Sequence, residues 1–191
     1  MKEIIRLLVA LTAVCMIAGL SLSYVNKITK EPRAYQDRLE LVNALNMVLP
    51  DHDNEADKDF ICVGKTKYYF SKAQGKINGV AFVCSTDKGY SGLIRVIAGV
   101  RPTGEIVGIG ILEHKETPGL GSKIATRAFR DQYKGKSLDN AEWKVKKDGG
   151  GFDQISGATI SPRAVTLAVK EGLMEFRANR SGIFGGHDVV Q

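Results

Sequence analysis

A polar stretch near the carboxyl end of the chain combines residue types that could hold an anion. It reads Asp153-Gln-Ile-Ser-Gly-Ala-Thr-Ile-Ser-Pro-Arg-Ala-Val165, follows three glycines and precedes an apolar pattern with helical spacing. Backbone N–H groups at a helix start attract phosphate, and the small Gly-Ala pair would let a phosphate approach the backbone. The stretch is neither a Walker loop nor a GxGxxG motif. Two interpretations stay open: Thr159 carries a phosphate-linked group, or Thr159 or Ser161 caps a helix that has Pro162 at its first position.

A second loop, His114-Lys-Glu-Thr-Pro-Gly-Leu-Gly121, joins a predicted strand to a predicted helix. Thr117-Pro-Gly119 has the composition of a tight turn, and such a turn needs no function. The two glycines that bracket Leu120 would equally let the backbone and an apolar side chain meet a planar ligand. Both interpretations are open on the residues alone.

Histidine is too sparse for metal or nucleophilic chemistry. Of His52, His114 and His187, only His114 stands in a candidate loop, and no second histidine or cysteine is spaced to complete a metal site with it. No Ser-His-Asp or Cys-His set is legible. We therefore predict no metal site and no catalytic residue.

Charge and cysteine usage narrow the class of partner. The net charge of +6 is scattered, without a basic patch interleaved with aromatic residues, which argues against nucleic acid and suits anionic lipid or acidic partners. Cys62 and Cys84 lie in no CxxC pattern. One disulfide and two buried free thiols are both open.

The amino-terminal segment has the composition of a membrane anchor. It is almost uninterruptedly apolar from Leu7 to Leu22. From Ile4 to Val25 the segment has about 22 residues, which as a helix would span roughly 33 Å. A retained anchor is favoured over a signal peptide cleaved near Ser21-Leu-Ser23, because the run exceeds the usual apolar length of about 7–15 residues. Basic residues flank both sides, so charge does not assign an orientation.

The rest of the chain predicts an α+β domain. A helical pattern opens at Glu31 and Pro32 and stops at Pro50, and a polar loop follows over 51–58. Short turns between the strands favour a mostly antiparallel sheet. The predicted strands are Thr66–Phe70, Gly79–Ser85, Leu93–Val100, Glu105–Glu113 and Ala141–Lys146. The predicted helices that pack on the sheet are Ser122–Tyr133 and Pro162–Arg177, and a tail containing Gly185-Gly186 is expected to fray.

Several motifs in one order carry a resemblance to a known family. They are the apolar anchor, Gly89-Tyr-Ser-Gly-Leu-Ile94, Gly108-Ile-Gly-Ile111, the loop 114–121 and Asp153-Gln-Ile-Ser-Gly-Ala-Thr159. On these residues the chain resembles the RnfG family, the membrane-anchored flavoprotein subunits of the Rnf complex, which is an ion-translocating ferredoxin:NAD oxidoreductase. It is more distantly similar to the NqrC family of the sodium-translocating NADH:quinone reductase.

The resemblance implies a covalent flavin. The family's matching threonine is joined through its hydroxyl to the phosphate of FMN, which implies the same for Thr159. The resemblance makes Asp153, Ser156, Gly157 and Ala158 the sequence read by an FAD:protein FMN transferase. It implies that the loop also lines the flavin site, through Glu116, Thr117, Gly119, Leu120 and Gly121.

The resemblance also implies organisation and role. The expected parts are an anchor with a cytoplasmic end (1–26), a stalk helix and loop (27–60), a covalent FMN-binding domain (61–180) and a tail (181–191). The expected role is electron relay among other Rnf subunits that move Na⁺ or H⁺, from the outer face of the cytoplasmic membrane. Two alternatives are a stand-alone extracytoplasmic FMN carrier and a non-redox anchored binding domain.

Overall fold

The computed structural model describes residues 2–185, except for the side chains of 31–34. The last six residues of the predicted tail, including His187, lie outside the described part. The described chain divides into two units after Glu40. Its helices are α1 (Lys2–Val48), α2 (Arg127–Asp131), α3 (Ile160–Ala178) and α4 (Arg180–Phe184), and its strands are β1 (Phe60–Val63), β2 (Thr66–Ala73), β3 (Lys76–Gly89), β4 (Gly92–Val100) and β5 (Ile106–His114).

The first unit is helical throughout its described residues. It contains a window of 18 residues with a mean hydropathy of 2.2, none of it buried, so α1 is long and apolar enough to cross a membrane. The prediction of a separate helix beginning at Glu31 and Pro32 is wrong, because α1 runs without interruption from Lys2 to Val48. Its end is close to the predicted stop at Pro50.

The second unit is built on a five-stranded antiparallel sheet in the order β1-β2-β3-β4-β5. The four longer strands fall where the alternating β-branched and aromatic runs predicted them. The turn between β4 and β5 is closed by Gly104 N–H donating to the Arg101 carbonyl at 2.8 Å. The predicted α+β class and mostly antiparallel sheet are confirmed.

Successive residues of each strand face opposite sides of the sheet, and both sides are covered. On one side, Tyr68, Phe82 and Val96 pack with the apolar stripe of α3 in the larger core. On the other, Tyr69, Ala81 and Ile97 pack against Leu45 and Val48 at the end of α1. This two-sided burial makes the middle of the sheet a rigid support for the loops at its edge.

Close backbone approach sets the position of the end of α1 on the sheet. A Cβ added to Gly99 would lie 2.0 Å from the Val48 carbonyl oxygen, so only glycine fits at this position of β4. At the neighbouring Gly108 the nearest atom, Val48 Cα, would be 3.4 Å away, an ordinary contact. Gly99 is therefore the point at which the helix and the sheet touch.

Two local predictions are wrong, and one strand was not predicted. The predicted helix Ser122–Tyr133 is a 3₁₀ turn over Gly121–Ala125 followed by α2, because Thr126 between them is extended at ψ 149°. The predicted strand Ala141–Lys146 forms only an isolated bridge from Val145 to Phe152. Its alternation reflects instead the burial of Val145 and of Trp143, which packs in the larger core. The short strand β1 was not predicted.

The remaining structure includes α4, whose Ile183 is buried in the larger core. Cys62 and Cys84 are free thiols, with Cys62 exposed and Cys84 half-buried. The disulfide alternative therefore does not hold in this structure, and neither does burial of both thiols.

Candidate functional site

A cavity of about 310 Å³ opens where the loop after β5, the turn between β3 and β4 and the start of α3 meet. These segments are distant in sequence and come together only through the sheet and the packing of α3. The wall is formed by Tyr90, Glu116, Thr117, Leu120, Gly121, Gly157, Ala158, Thr159, Ile160 and Ser161. The cavity thus joins the two motifs singled out from the sequence.

Glu116 is the polar centre of this wall. Its side chain is only 4% exposed, although it ends in a carboxylate. Ser161 Oγ donates to Oε2 at 2.5 Å, and the Ser91 backbone N–H donates to Oε1 at 3.0 Å. One side chain therefore ties the loop to the start of α3 and to the turn between β3 and β4.

Two glycines make room for this carboxylate. A Cβ on Gly121 would lie 2.7 Å from Glu116 Oε2 and 2.8 Å from Ser161 Oγ. A Cβ on Gly89 would lie 2.3 Å from the Gly92 carbonyl oxygen and 2.7 Å from Glu116 Oε1. The glycines admit the carboxylate between two backbone segments, which no larger residue would allow.

The loop is closed by its own hydrogen bonds. Gly119 adopts φ +76°, in the left-handed region that glycine favours, and its N–H donates to Ser122 Oγ at 2.9 Å. The Leu120 and Ser122 N–H groups both donate to the Thr117 carbonyl at 3.2 Å. This turn leaves Leu120 44% exposed at the cavity. The loop is therefore the tight turn that its composition predicted, and it also lies beside the cavity.

Thr159 stands immediately before α3, at the mouth formed by Gly157 and Ala158. It is half-buried and helical, with φ −70° and ψ −25°, and its carbonyl accepts the Arg163 N–H at 3.2 Å. Its hydroxyl makes no capping bond and has no hydrogen-bond partner within residues 2–185. The capping interpretation is wrong for the Thr159 side chain.

The start of α3 differs from the capping prediction in two further ways. Ser161 does not cap the helix, because its hydroxyl donates to Glu116. Pro162 is the third residue of the helix rather than the first, since α3 begins at Ile160. Helix starts leave their first N–H groups without partners inside the helix. The N–H groups of Ile160 and Ser161 therefore have no partner inside α3, and they lie at the same end of the helix as Thr159.

Three predicted site residues, Asp153, Ser156 and Gly119, do not line the cavity wall. The carboxylate of Asp153 is exposed and pairs with Lys146 Nζ at 2.5 Å, while its N–H donates to Gln132 Oε1 at 2.6 Å. Ser156 is exposed and next to the wall without lining it. Both are accessible to another protein, whereas Gly119 shapes the loop without lining the cavity.

Three residues of the cavity wall, Tyr90, Ile160 and Ser161, were not among the predicted site residues, and Ser161 was considered only as a helix cap. Tyr90 is 70% exposed and Ile160 is 43% exposed. Tyr90 could have been marked by its place in the Gly89–Ile94 motif, and the other two by their place directly after Thr159. Together with Leu120, Tyr90 and Ile160 give the cavity an exposed apolar lining.

Polar contacts from other segments stabilise the start of α3. The buried Tyr133 hydroxyl donates to Thr166 Oγ1 at 2.7 Å, and Thr166 in turn donates to the Pro162 carbonyl at 2.9 Å. Burial raises the pKa of Tyr133. Arg163 makes a two-pronged ion pair with Asp148, at 2.6 and 2.8 Å, and its guanidinium lowers the pKa of that carboxyl.

Comparison with known proteins identifies related chains. Residues 89–174 match the FMN-binding domain family, a range that contains every wall residue of the cavity. The RnfG subunit of the ion-translocating oxidoreductase complex of Aliivibrio fischeri is 39% identical, covering 91% of this chain and 90% of that protein. The corresponding protein of Shewanella amazonensis is 37% identical, covering 96% of this chain and 93% of that protein.

Two solved structures share the fold at low sequence identity. NqrC of Shewanella oneidensis has a TM-score of 0.53 at 22% identity, covering 68% of this chain and 70% of that chain. The NqrC protein of the Na⁺-translocating NADH-quinone reductase of Parabacteroides distasonis has a TM-score of 0.54 at 18% identity, covering 82% and 96%. Sequence identity over nearly the whole chain, the matched domain and this fold agree, and the chain therefore belongs to the RnfG family of ion-translocating oxidoreductase complexes and carries their FMN-binding domain.

Proposed function

We propose that this chain is a membrane-anchored flavoprotein subunit that carries FMN as a phosphodiester on Thr159. Its role is to relay electrons within an ion-translocating ferredoxin:NAD oxidoreductase complex. The observation that carries the proposal is the Thr159 hydroxyl, which is unbonded within residues 2–185 and lies on the wall of the cavity.

The residues around Thr159 fit a flavin phosphate. Gly157 adopts φ +78° and has no side chain to block the approach to the hydroxyl. The N–H groups of Ile160 and Ser161 and the positive end of the α3 dipole favour the remaining phosphate charge. Leu120 and Tyr90 provide exposed apolar surface for a planar ring.

Attachment requires one bond to form and one to break. The Thr159 Oγ1 bonds to the phosphorus of the FMN half of FAD and loses its proton, and the phosphoanhydride bond breaks so that AMP leaves. The threonine proton leaves with AMP and no water is released, so the chain gains the mass of FMN less one water. The exposed Asp153 and Ser156 are the residues that a transferase would recognise beside the reacting hydroxyl.

FMN supplies the redox chemistry when bound, because it accepts electrons singly or in pairs. Thr159 tethers the group, and the loop Glu116–Gly121 walls it on one side. Covalent attachment suits an extracytoplasmic domain, where lost cofactor would not readily be replaced. We therefore place the second unit on the outer face of the membrane, with α1 as a single span.

In-gel flavin fluorescence tests the attachment. The full-length chain, co-expressed with an FAD:protein FMN transferase, should fluoresce after denaturing electrophoresis. Thr159→Val keeps the shape of the side chain without its hydroxyl and should abolish the signal. The matched control is Thr103→Ala, an exposed threonine in the turn between β4 and β5, which should retain it. Fluorescence that persists in Thr159→Val would contradict attachment at this atom.

Co-purification tests the role in a complex and separates it from a stand-alone carrier. We expect the affinity-tagged native chain, solubilised in mild detergent, to bring other membrane subunits with it. Migration as a flavinylated monomer would support the stand-alone carrier. A monomer without flavin would support the non-redox binding domain.

A further inference from the structure

Glu116 is almost fully buried, although it lines an open cavity. At 4% exposure it has given up nearly all contact with water, and burial of an ionised carboxylate is costly unless it is paired and hydrogen-bonded. The two hydrogen bonds from Ser161 and Ser91 offset part of this cost. Both partners donate, which is the arrangement expected of an ionised carboxylate.

Glu116 has no ion-pair partner among the described side chains. None of the ion pairs formed there includes Glu116. His114 is the nearest basic residue by contact, but its Nδ1 accepts the Glu116 backbone N–H at 3.3 Å and does not donate to the carboxylate. Lys115 and Lys123 on the same loop are exposed.

A clamp alone would not require a charge at this position. The carboxylate joins three segments, but a glutamine side chain has the same shape and could make both contacts. Its amide oxygen would accept from Ser91 N–H, and its amide nitrogen would donate to Ser161 Oγ. The feature that glutamine cannot supply is the negative charge beside the cavity.

We propose that Glu116 lowers the midpoint potential of the flavin by holding a negative charge, without an ion-pair partner among the described residues, at the cavity wall. This inference rests on the proposed function. Reduction adds negative charge to a flavin, and a fixed carboxylate nearby in a poorly solvated site opposes that addition. Ser161 and Ser91 keep the charge in place, while Gly89 and Gly121 let it sit close to the backbone.

Two variants separate the charge from the shape. Glu116→Gln keeps the shape and removes the charge, whereas Glu116→Asp keeps the charge and shortens the side chain. Spectroelectrochemical titration of the flavinylated full-length chain in detergent should show a more positive midpoint potential for Glu116→Gln. Glu116→Asp should stay closer to the unsubstituted chain. Glu113→Gln is the control, because Glu113 is an exposed β5 carboxylate paired with Arg95. The midpoint potential of the flavin in this variant should equal that of the unsubstituted chain.

The opposite order would overturn the proposal. A purely structural clamp predicts that Glu116→Asp, which cannot reach both partners, changes the potential and the thermal stability more than Glu116→Gln does. Failure of Glu116→Gln to fold or to take up flavin would also overturn it, because the charge would then be needed for structure. Absence of flavin from the unsubstituted chain would instead defeat the proposed function, and the inference with it.

Discussion

Ser161 Oγ donates to Glu116 Oε2 at 2.5 Å, which joins the first turn of α3 to the loop after β5. The two residues are 45 positions apart in sequence, and both are buried. The contact fixes the distance between the loop and Thr159, two residues before Ser161. This hydroxyl–carboxylate pair is therefore one of the contacts that set the shape of the cavity.

Ser161→Ala should destabilise the second unit by about 1–3 kcal/mol, because a buried carboxylate loses one of its two donors. Urea denaturation of the full-length chain in detergent, followed by tryptophan fluorescence, measures the change. Ser91→Ala is the control, since the Ser91 contact uses the backbone N–H, and it should shift stability by less than about 0.5 kcal/mol. Equal losses in the two variants would show that the hydroxyl is not what matters.

Gly99→Ala should strongly destabilise the packing of the end of α1 on the sheet. The added Cβ would lie 2.0 Å from a backbone oxygen of Val48, which cannot move aside as a flexible side chain would. Gly108→Ala, whose Cβ meets ordinary contacts at 3.4 Å, is the matched substitution on the adjacent strand. Thermal denaturation should rank Gly99→Ala well below Gly108→Ala. Equal melting temperatures would contradict this close approach.

Tyr133→Phe should cost about 1 kcal/mol, the usual net value of one hydrogen bond. The variant removes the donor to Thr166 Oγ1 but leaves the Thr166 bond to the Pro162 carbonyl in place. Urea denaturation again gives the difference. Tyr90→Phe, at an exposed tyrosine, should leave the free energy of unfolding within about 0.5 kcal/mol. A Tyr133→Phe variant with an unchanged free energy of unfolding would show that this contact does not stabilise α3.

Stability should fall at alkaline pH, in part because of Cys84. Burial raises the pKa of Cys84 from 9.0 to about 12, so the folded state keeps a proton that the unfolded state loses. Stability is therefore unaffected by this group below pH 9 and is lost as pH rises toward 12, at about 1.4 kcal/mol per pH unit.

Cys84→Ala should flatten that loss, as measured by urea denaturation between pH 8.5 and about 11. The buried tyrosines contribute to the alkaline loss in both proteins, so the difference in slope isolates Cys84. The exposed Cys62 provides the matched Cys62→Ala control, which should keep the slope of the unsubstituted chain. An unchanged slope in Cys84→Ala would contradict the raised pKa.

The sequence predicted those elements whose local pattern matches their burial. The side chains of strands β2 to β5 alternate between two covered faces of the sheet, and α3 carries one apolar stripe. Their periodicity could therefore be recognised in the sequence. The strand β1 was missed because Phe60–Val63 is only four residues long and none of its residues is fully buried, although Ile61 and Val63 pack against the larger core. The break at Thr126 was missed because the apolar spacing continues across it.

The site was predictable in its motifs but not in its contacts. The two loops could be singled out from glycine, threonine and proline content. That Ser161 bonds Glu116 instead of capping α3 depends on the packing of a helix against a distant loop. Tyr90 joins the wall for the same reason, because the turn between β3 and β4 is brought to the cavity by the sheet.

The attachment of FMN to Thr159 is tested most directly by the intact mass of the full-length chain purified from membranes that contain an active transferase. We expect a mass increase of FMN less one water, located by fragmentation to the peptide that contains Thr159. We expect no increase for Thr159→Val. An unsubstituted chain without the adduct, or an adduct that survives in Thr159→Val, would contradict the attachment.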